Sequence, residues 1–381
     1  MMNDRLRVLR EAEFPVIHEC AYLNHAGMSP LPRRSARRMA TLAELVSRTG
    51  DRRWLDRQAE VDRIRGLAAR LLGAREPHEV AFVENTSTAL SMIAGGLAWR
   101  PGDNVVGAAL EFPSNVYPWM QLADFGVEYR QVPERAGRID PEELIALLDD
   151  RTRMLALSWV QYASGFRSDL ARLGAACRER GALFVVDVIQ GLGALELDVE
   201  RERVDVAAGS GHKWLLGTEG AGLLYVSDRV VDRLRPARSG WRSTRDIFQW
   251  AHYDLTWAEG AKRFESGTLN VYGIVALGAS LEILQEAEAA AVEEQVLALT
   301  RQAARGLADL GFSVVSSSVP DETSGIVTAT HPRLDPQELV KRLGERDVVV
   351  AARAGRFRIS PHFYNTEEEI DRCLGELAVS F

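Results

Sequence analysis

From about Glu79 to Val226 the chain repeats one rhythm: a short apolar run rich in β-branched residues, a small or polar turn, then an amphipathic stretch. The segments "VAFVENTSTALSMIAGGLA", "DNVVGAALEFPSNVYPW", "TRMLALSWVQYASGFRSDLARLGAACRERG" and "ALFVVDVIQGLG" are its instances. Strands that are apolar throughout and alternate with helices predict an α/β fold with a mainly parallel sheet covered on both faces. Such sheets bind ligands outside the carboxyl ends of their strands. Those ends carry Glu84-Asn85-Thr86-Ser87-Thr88, Glu111-Phe112, Gln161-Tyr162, Asp187 with Gln190, and Ser210-Gly211-His212-Lys213. After about Tyr272 the rhythm changes to a long helical pattern ending near Phe312. A shorter α+β region follows, through "SGIVTATH", "DVVVAARAGRFRIS" and "NTEEEIDRCLGELAVSF". The expected organisation is an N-terminal arm (1–30) that contributes to the small domain and the active site, a large domain (31–279) and a small C-terminal domain (280–381).

Composition narrows the function classes. At 381 residues the chain is long enough for two packed regions and a buried pocket. Its 46 basic and 54 acidic residues give a formal charge of −8 with no basic run, which favours neither nucleic acid nor an anionic membrane as partner. The apolar stretches are short, and the opening "MMNDRLRVLREAEF" has no apolar core or cleavage site. No membrane span or secretory leader is therefore expected, and the expected location is cytoplasmic. Cys20, Cys177 and Cys373 are widely spaced without a C-x-x-C pair, so neither a disulfide framework nor a metal site is expected.

Two charged residues stand out. Asp187 ends an apolar strand, where an unpaired carboxylate would cost several kcal/mol, so it needs a cation or strong donor such as a protonated cofactor ring nitrogen; capping the next turn is the simpler alternative. Lys213 follows the small-residue run "DVAAGSGH". In a pocket, desolvation would lower its pKa and free the amine for imine formation, with small neighbours leaving room for a cofactor; on the surface it would only lay its stem over Trp214. The Thr/Ser-rich helix start at Thr86 suits a phosphate or is an ordinary N-cap.

Taken together, these motifs resemble the class V aminotransferase family of pyridoxal-phosphate (PLP) enzymes, which includes cysteine desulfurases, kynureninase and isopenicillin N epimerase. The resemblance runs from "AYLNHAGMSPLP" to "RISPHFYNTEEEID". It implies PLP-dependent fold type I, the aspartate-aminotransferase-like fold. In "SGHK" it makes Lys213 the Schiff-base lysine and the acid/base at the substrate α-carbon. In "DVIQG" it makes Asp187 the partner of the pyridinium N–H and Gln190 that of the phenolic oxygen. Thr86, Ser87 and Thr88 would cradle the phosphate with Ser210 and His212, and Phe112 of "EFPSNVYPW" would stack on the cofactor. The segment "FESGTLN" resembles one that reaches the phosphate of a neighbouring subunit, which implies a homodimer with shared sites served by Thr268. Arg358 matches the arginine that receives the substrate α-carboxylate, a pairing suited to the guanidinium fork, with Arg356 as its competitor. Asn24 and His25 of "YLNHAG" lie where the family's arm closes over the substrate. Tyr162, Trp159, His25 and His362 are wall residues or second acid/bases.

The pattern departs from the desulfurases at one point. Their nucleophilic loop cysteine precedes the equivalent of Arg358, and here "VVVAARAGRFRIS" is shortened and holds none; Cys373 falls in an amphipathic helix pattern as a small packed hydrophobe. The expected activity is an aminotransferase or C–S/β-lyase acting on a small amino acid through an α-carbanion. An epimerase or racemase, with a second proton donor facing Lys213, and a non-catalytic PLP-binding scaffold are the alternatives.

Overall fold

In β5 (Thr152–Ser158) Met154 and Ala156 face one side and Leu155 and Leu157 the other. In β6 (Leu183–Asp187) Leu183 and Val185 oppose Phe184 and Val186. A strand apolar on both sides must be covered twice, and two hydrophobic clusters do so, one on each face. The computed structural model describes residues 2–379.

The seven-stranded central sheet takes up β5, β6 and five more strands: β2 (Val80–Val83), β3 (Asn104–Ala108), β4 (Glu128–Val132), β7 (Val206–Ser210) and β8 (Gly222–Val226). Its order is β2-β8-β7-β6-β5-β3-β4, and β8 alone runs against the rest. After β3 the chain moves outward to β4, then returns to the other side of β3 with β5. The β3/β5 boundary is thus a topological switch point, where a crevice opens at the carboxyl ends.

Helices α1 (Asp4–Glu13), α2 (Arg33–Thr49), α3 (Trp54–Leu72), α4 (Thr86–Gly96), α5 (Tyr117–Met120), α6 (Pro141–Ala146), α7 (Leu170–Arg180) and α8 (Val271–Ala287) accompany this sheet. The chain continues through α9 (Ala289–Asp309), β9 (Ser313–Val314), β10 (Val327–Thr330), α10 (Pro336–Gly344), β11 (Val348–Val349), β12 (Ala351–Arg353), β13 (Arg356–Ile359) and α11 (Glu367–Ala378). Here a four-stranded antiparallel sheet, β12-β13-β10-β9, carries a third cluster that includes Leu299, Leu307, Phe357, Ile359, Ile370 and Cys373. The expected division at 279/280 falls inside α8, a helix buried along the larger core beside α2 and α3. The chain turns at Glu288, with φ 65°, between α8 and α9, and α9 then passes from the larger core, which its Val292 and Val296 join, to the third cluster, which takes its Leu299, Ala303 and Leu307.

The N-terminal segment ties both regions together. Its strand β1 (Ala21–Tyr22) pairs in parallel with β11, and Phe14 stacks on Tyr364 with ring centroids 3.8 Å apart. Among the described residues, no helix is long and apolar enough to cross a membrane.

Candidate active site

The carboxyl ends of β2, β3, β5, β6 and β7 converge, with hairpin β12–β13 opposite, on a cavity of about 300 Å³. It is lined by Thr86, Ser87, Phe112, Tyr162, Asp187, Gln190, Ser210, His212, Lys213 and Arg358, together with Ala26, Gly27, Asn85, Ser114, Ile189 and Arg353. A larger groove of about 650 Å³ opens beside α2 and α3. Its carboxylates Glu13, Asp56 and Glu60 are already paired with arginines, so it holds no free acid/base.

Asp187 closes β6, opposite Ser158 of β5. It is 2 % exposed, and Ile189 N donates to its Oδ1 at 2.9 Å. Burial, aided by the Glu111 carboxylate, raises its pKa well above the aspartate range, against the pull of Lys213. Glu111 is itself buried, with Ser158 N (2.7 Å), Ser158 Oγ and Gln161 Nε2 (2.8 Å) donating to it. Two buried carboxylates with so few cations make this a place for a further positive charge. Lys213 is 9 % exposed, and burial lowers its pKa despite Asp187, with Arg358 and Arg353 adding to the fall. Its Nζ lies 5.5 Å from the centre of the Phe112 ring, which meets Tyr162 edge-on at 5.4 Å.

The glycines near Lys213 serve the sheet rather than the cavity. A Cβ on Gly211 would sit 2.6 Å from Ala221 O, and one on Gly222 2.9 Å from Gly209 O. They permit the close approach of β7 and β8 rather than making room for a cofactor.

Asn85 caps α4 by accepting from Thr88 N at 2.8 Å, which explains the local helix start. Thr86 N donates to Ser210 Oγ at 2.9 Å and Ser210 N to Thr86 Oγ1 at 3.1 Å, fastening the helix start to the end of β7. Ser87 and Ser114 share a hydroxyl hydrogen bond of 2.7 Å, and His212 is held neutral by burial and by Lys213. A helix N-terminus set among hydroxyls suits a phosphate. Thr88 lies one residue deeper in α4, outside the lining.

Gln190 donates from Nε2 to Ala26 O (3.1 Å) and accepts from Trp214 Nε1 (3.0 Å), leaving one amide N–H over. Arg358 is 1 % exposed and donates to Tyr162 O (3.2 Å) and Asn24 Oδ1 (3.3 Å), while its Nε is buried without a partner. Arg356 is occupied elsewhere, forking onto Glu134 at 2.8 and 3.1 Å. Asn24 thus meets the cavity through Arg358.

His25 does not reach the cavity. It is fully buried, donating from Nδ1 to Ser360 O (2.9 Å) and accepting at Nε2 from Tyr364 OH (2.7 Å). His362 is equally sealed, donating from Nε2 to Trp214 O (3.0 Å), with burial pushing it down to about 4. The arm carries His25 into the core against Ser360 and Tyr364, so "NHAG" splits between a cavity neighbour and a packed imidazole. Thr268 is exposed and outside this cavity. Ser114 and Arg353 escaped the sequence reading. The only trace of Arg353 was the Ala-Gly turn of "ARAGRFR", which reveals a partner only once the hairpin register is known.

The profile of the family described as Aminotransferase class-V matches residues 21–373. The chain belongs to that family. A probable cysteine desulfurase of Methanothermobacter thermautotrophicus is 29 % identical over 386 residues, covering 96 % of this chain and 95 % of that protein. An uncharacterised aminotransferase of Bacillus subtilis is 28 % identical, with 85 % of each covered. The solved structure of the cystine C–S lyase C-DES with its reaction product cysteine persulfide matches with a TM-score of 0.90 and 26 % identity, over 96 % of this chain and 99 % of that one. In a variant of C-DES, glycine is covalently linked to the PLP cofactor. Class V members are PLP-dependent enzymes of the amino-acid lyase and aminotransferase kind, and this chain is one of them. The residues here fit that cofactor: a buried carboxylate without an ion-pair contact among the described residues, a desolvated lysine and a hydroxyl-lined helix start.

Proposed function

We propose that this protein is a C–S/β-lyase acting on a small amino acid. The observation that carries the reading is a cavity in which the desolvated amine of Lys213 faces Asp187 and Arg358 while no cysteine lines the wall. Cys177 and Cys373 are buried in cores and Cys20 is half-buried on the arm, so no thiol is placed to accept sulfur.

When bound, PLP supplies an electron-accepting ring for charge developing at the substrate α-carbon. Asp187 would hold the ring-nitrogen proton, for which its burial and the neighbouring Glu111 make it a strong acceptor. Gln190 offers its remaining N–H to the ring oxygen. Thr86, Ser87, Ser210 and His212 would hold the phosphate, with Thr88 stabilising the same helix start, and Phe112 would supply an aromatic wall for the ring. Arg358 fixes the α-carboxylate by two parallel hydrogen bonds. Lys213 takes the α-proton at its Nζ, which burial keeps unprotonated more readily than a free lysine. An epimerase would need a second proton carrier across from Lys213; the sealed positions of His25 and His362 remove two candidates, and Tyr162 is the candidate that lines the cavity. The set Asp187, Lys213 and Arg358 in one cavity weighs against a scaffold without catalysis.

The same reading takes the protein as a homodimer in which Thr268 serves the partner's cofactor. Supporting it are the exposed Phe248, Trp250 and Tyr253, which crowd the excursion before the Thr268 loop.

The test is the visible spectrum of the PLP-loaded protein titrated with cysteine, alanine and kynurenine, followed by assays for pyruvate, sulfide and keto acids. Pyruvate with sulfide from cysteine supports the lyase. Keto acid with conversion of the cofactor to its amine form assigns an aminotransferase instead.

A further inference from the structure

Hairpin β12–β13 turns through Ala354 and Gly355, both left-handed at φ 50° and 72°, and pairs Ala351 with Arg358 and Arg353 with Arg356. Directly opposed residues, and residues two apart on a strand, share a face. Arg353, Arg356 and Arg358 therefore stand on one face of one short hairpin. Like charges so placed destabilise a ladder unless something answers them.

Only Arg356 is answered, by Glu134. Arg358 donates to a carbonyl and an amide oxygen, and burial together with Arg353 pushes its guanidinium down to about 9. Arg353 is exposed at the cavity mouth and donates to Ala352 O at 2.8 Å, with no carboxylate partner among the described residues. Among the described residues the sole carboxylate lining the cavity is Asp187, which lies on the sheet side against Lys213. The phosphate cradle at Thr86 and Ser210 is built from β2, α4 and β7, not from this hairpin.

We propose that the cavity selects an amino acid carrying a second anionic group, with the α-carboxylate on Arg358 and a side-chain carboxylate or sulfinate on Arg353. The proposal rests on Arg358 as the α-carboxylate residue and adds the class of side chain. A guanidinium at the mouth rewards a planar anion with a forked, charge-assisted pair. A neutral side chain leaves the Arg353 guanidinium without an anionic partner, so the same residue also selects against the wrong substrate.

The test compares the PLP-loaded native protein with Arg353→Gln and Arg353→Lys on aspartate against asparagine and on cysteine sulfinate against cysteine. The native kcat/KM ratio should favour the acidic member by roughly tenfold or more, collapse toward unity in Arg353→Gln and return in part in Arg353→Lys. Which acidic substrate reacts distinguishes a carboxylate from a sulfinate. Binding of unreactive succinate against propionate, followed by the cofactor spectrum and by melting temperature, should show the same preference and the same loss. Equal ratios in native and Arg353→Gln protein, or a native preference for the neutral members, overturn the proposal. An Arg353-dependent preference for succinate in a protein that turns over no amino acid upholds it and removes the lyase reading instead.

Discussion

Trp214 Nε1 donates to Gln190 Oε1 at 3.0 Å, and Gln190 Nε2 donates to Ala26 O at 3.1 Å. The residue after Lys213, the wall beyond β6 and the N-terminal arm are thereby fixed to one another. His362 and His25 extend the connection, since Trp214 O accepts from His362 and His25 donates to Ser360 O.

Replacing Trp214 by Phe keeps an aromatic ring in a fully buried site but leaves Gln190 Oε1 without its donor. An unsatisfied buried acceptor costs about 1–3 kcal/mol. Thermal melts should show that loss, and PLP affinity should fall with it because the Gln190 amide is no longer held. A variant that melts like the native chain and binds PLP equally well would separate Gln190 from the cofactor.

Lys213→Ala should remove turnover by a factor of roughly 10² to 10⁴ or more, the range for loss of a positioned acid/base. The visible band of the PLP-loaded protein should shift, while dialysis should still show retained PLP through the α4 cradle. Parent-rate turnover in this variant would exclude Lys213 from proton transfer.

Burial holds Asp187 above the usual aspartate pKa. From about pH 4, where an unfolded aspartate ionises, up to that raised value, the folded cofactor-free chain binds a proton the unfolded chain has released. Stability from this group is therefore lost as pH rises through that window. Asp187→Asn should melt higher than native protein at neutral pH without PLP, with the gap closing toward pH 4. Lys213, shifted down, acts in the opposite sense at alkaline pH: its penalty fades as pH rises toward the ordinary lysine value. With PLP present the order should reverse, because Asp187→Asn loses the ring-nitrogen contact.

A chain with Cys20, Cys177 and Cys373 all replaced by Ala should keep its turnover, since none lines the cavity. Sulfide or pyruvate release reports the rate, and melting reports a modest loss from the two buried sites, about 1 kcal/mol each by deleted volume. Loss of sulfur release with intact folding would restore a persulfide route.

Local pattern determined a great deal. Runs apolar on both faces required a doubly covered sheet, and the polar residues at or just beyond their ends, Asp187, Ser210 and Glu111, marked the places where buried polar groups would need partners. The motifs around Lys213 and Arg358 also identified the family through the sequence alone. Tertiary structure decided what depends on residues far apart in the chain. It sent Arg356 to Glu134 and left Arg358 over the cavity, although the two share one face of the hairpin, because the partner each guanidinium meets comes from a segment far away in the chain. It buried His25 and His362 beside Trp214, since whether an imidazole meets water depends on three segments meeting. It also placed the change of packing unit within α9, whose Val292 and Val296 join the larger core while Leu299 and Leu307 join the third cluster, because which core an apolar position joins is settled by its neighbours rather than by the composition of its helix.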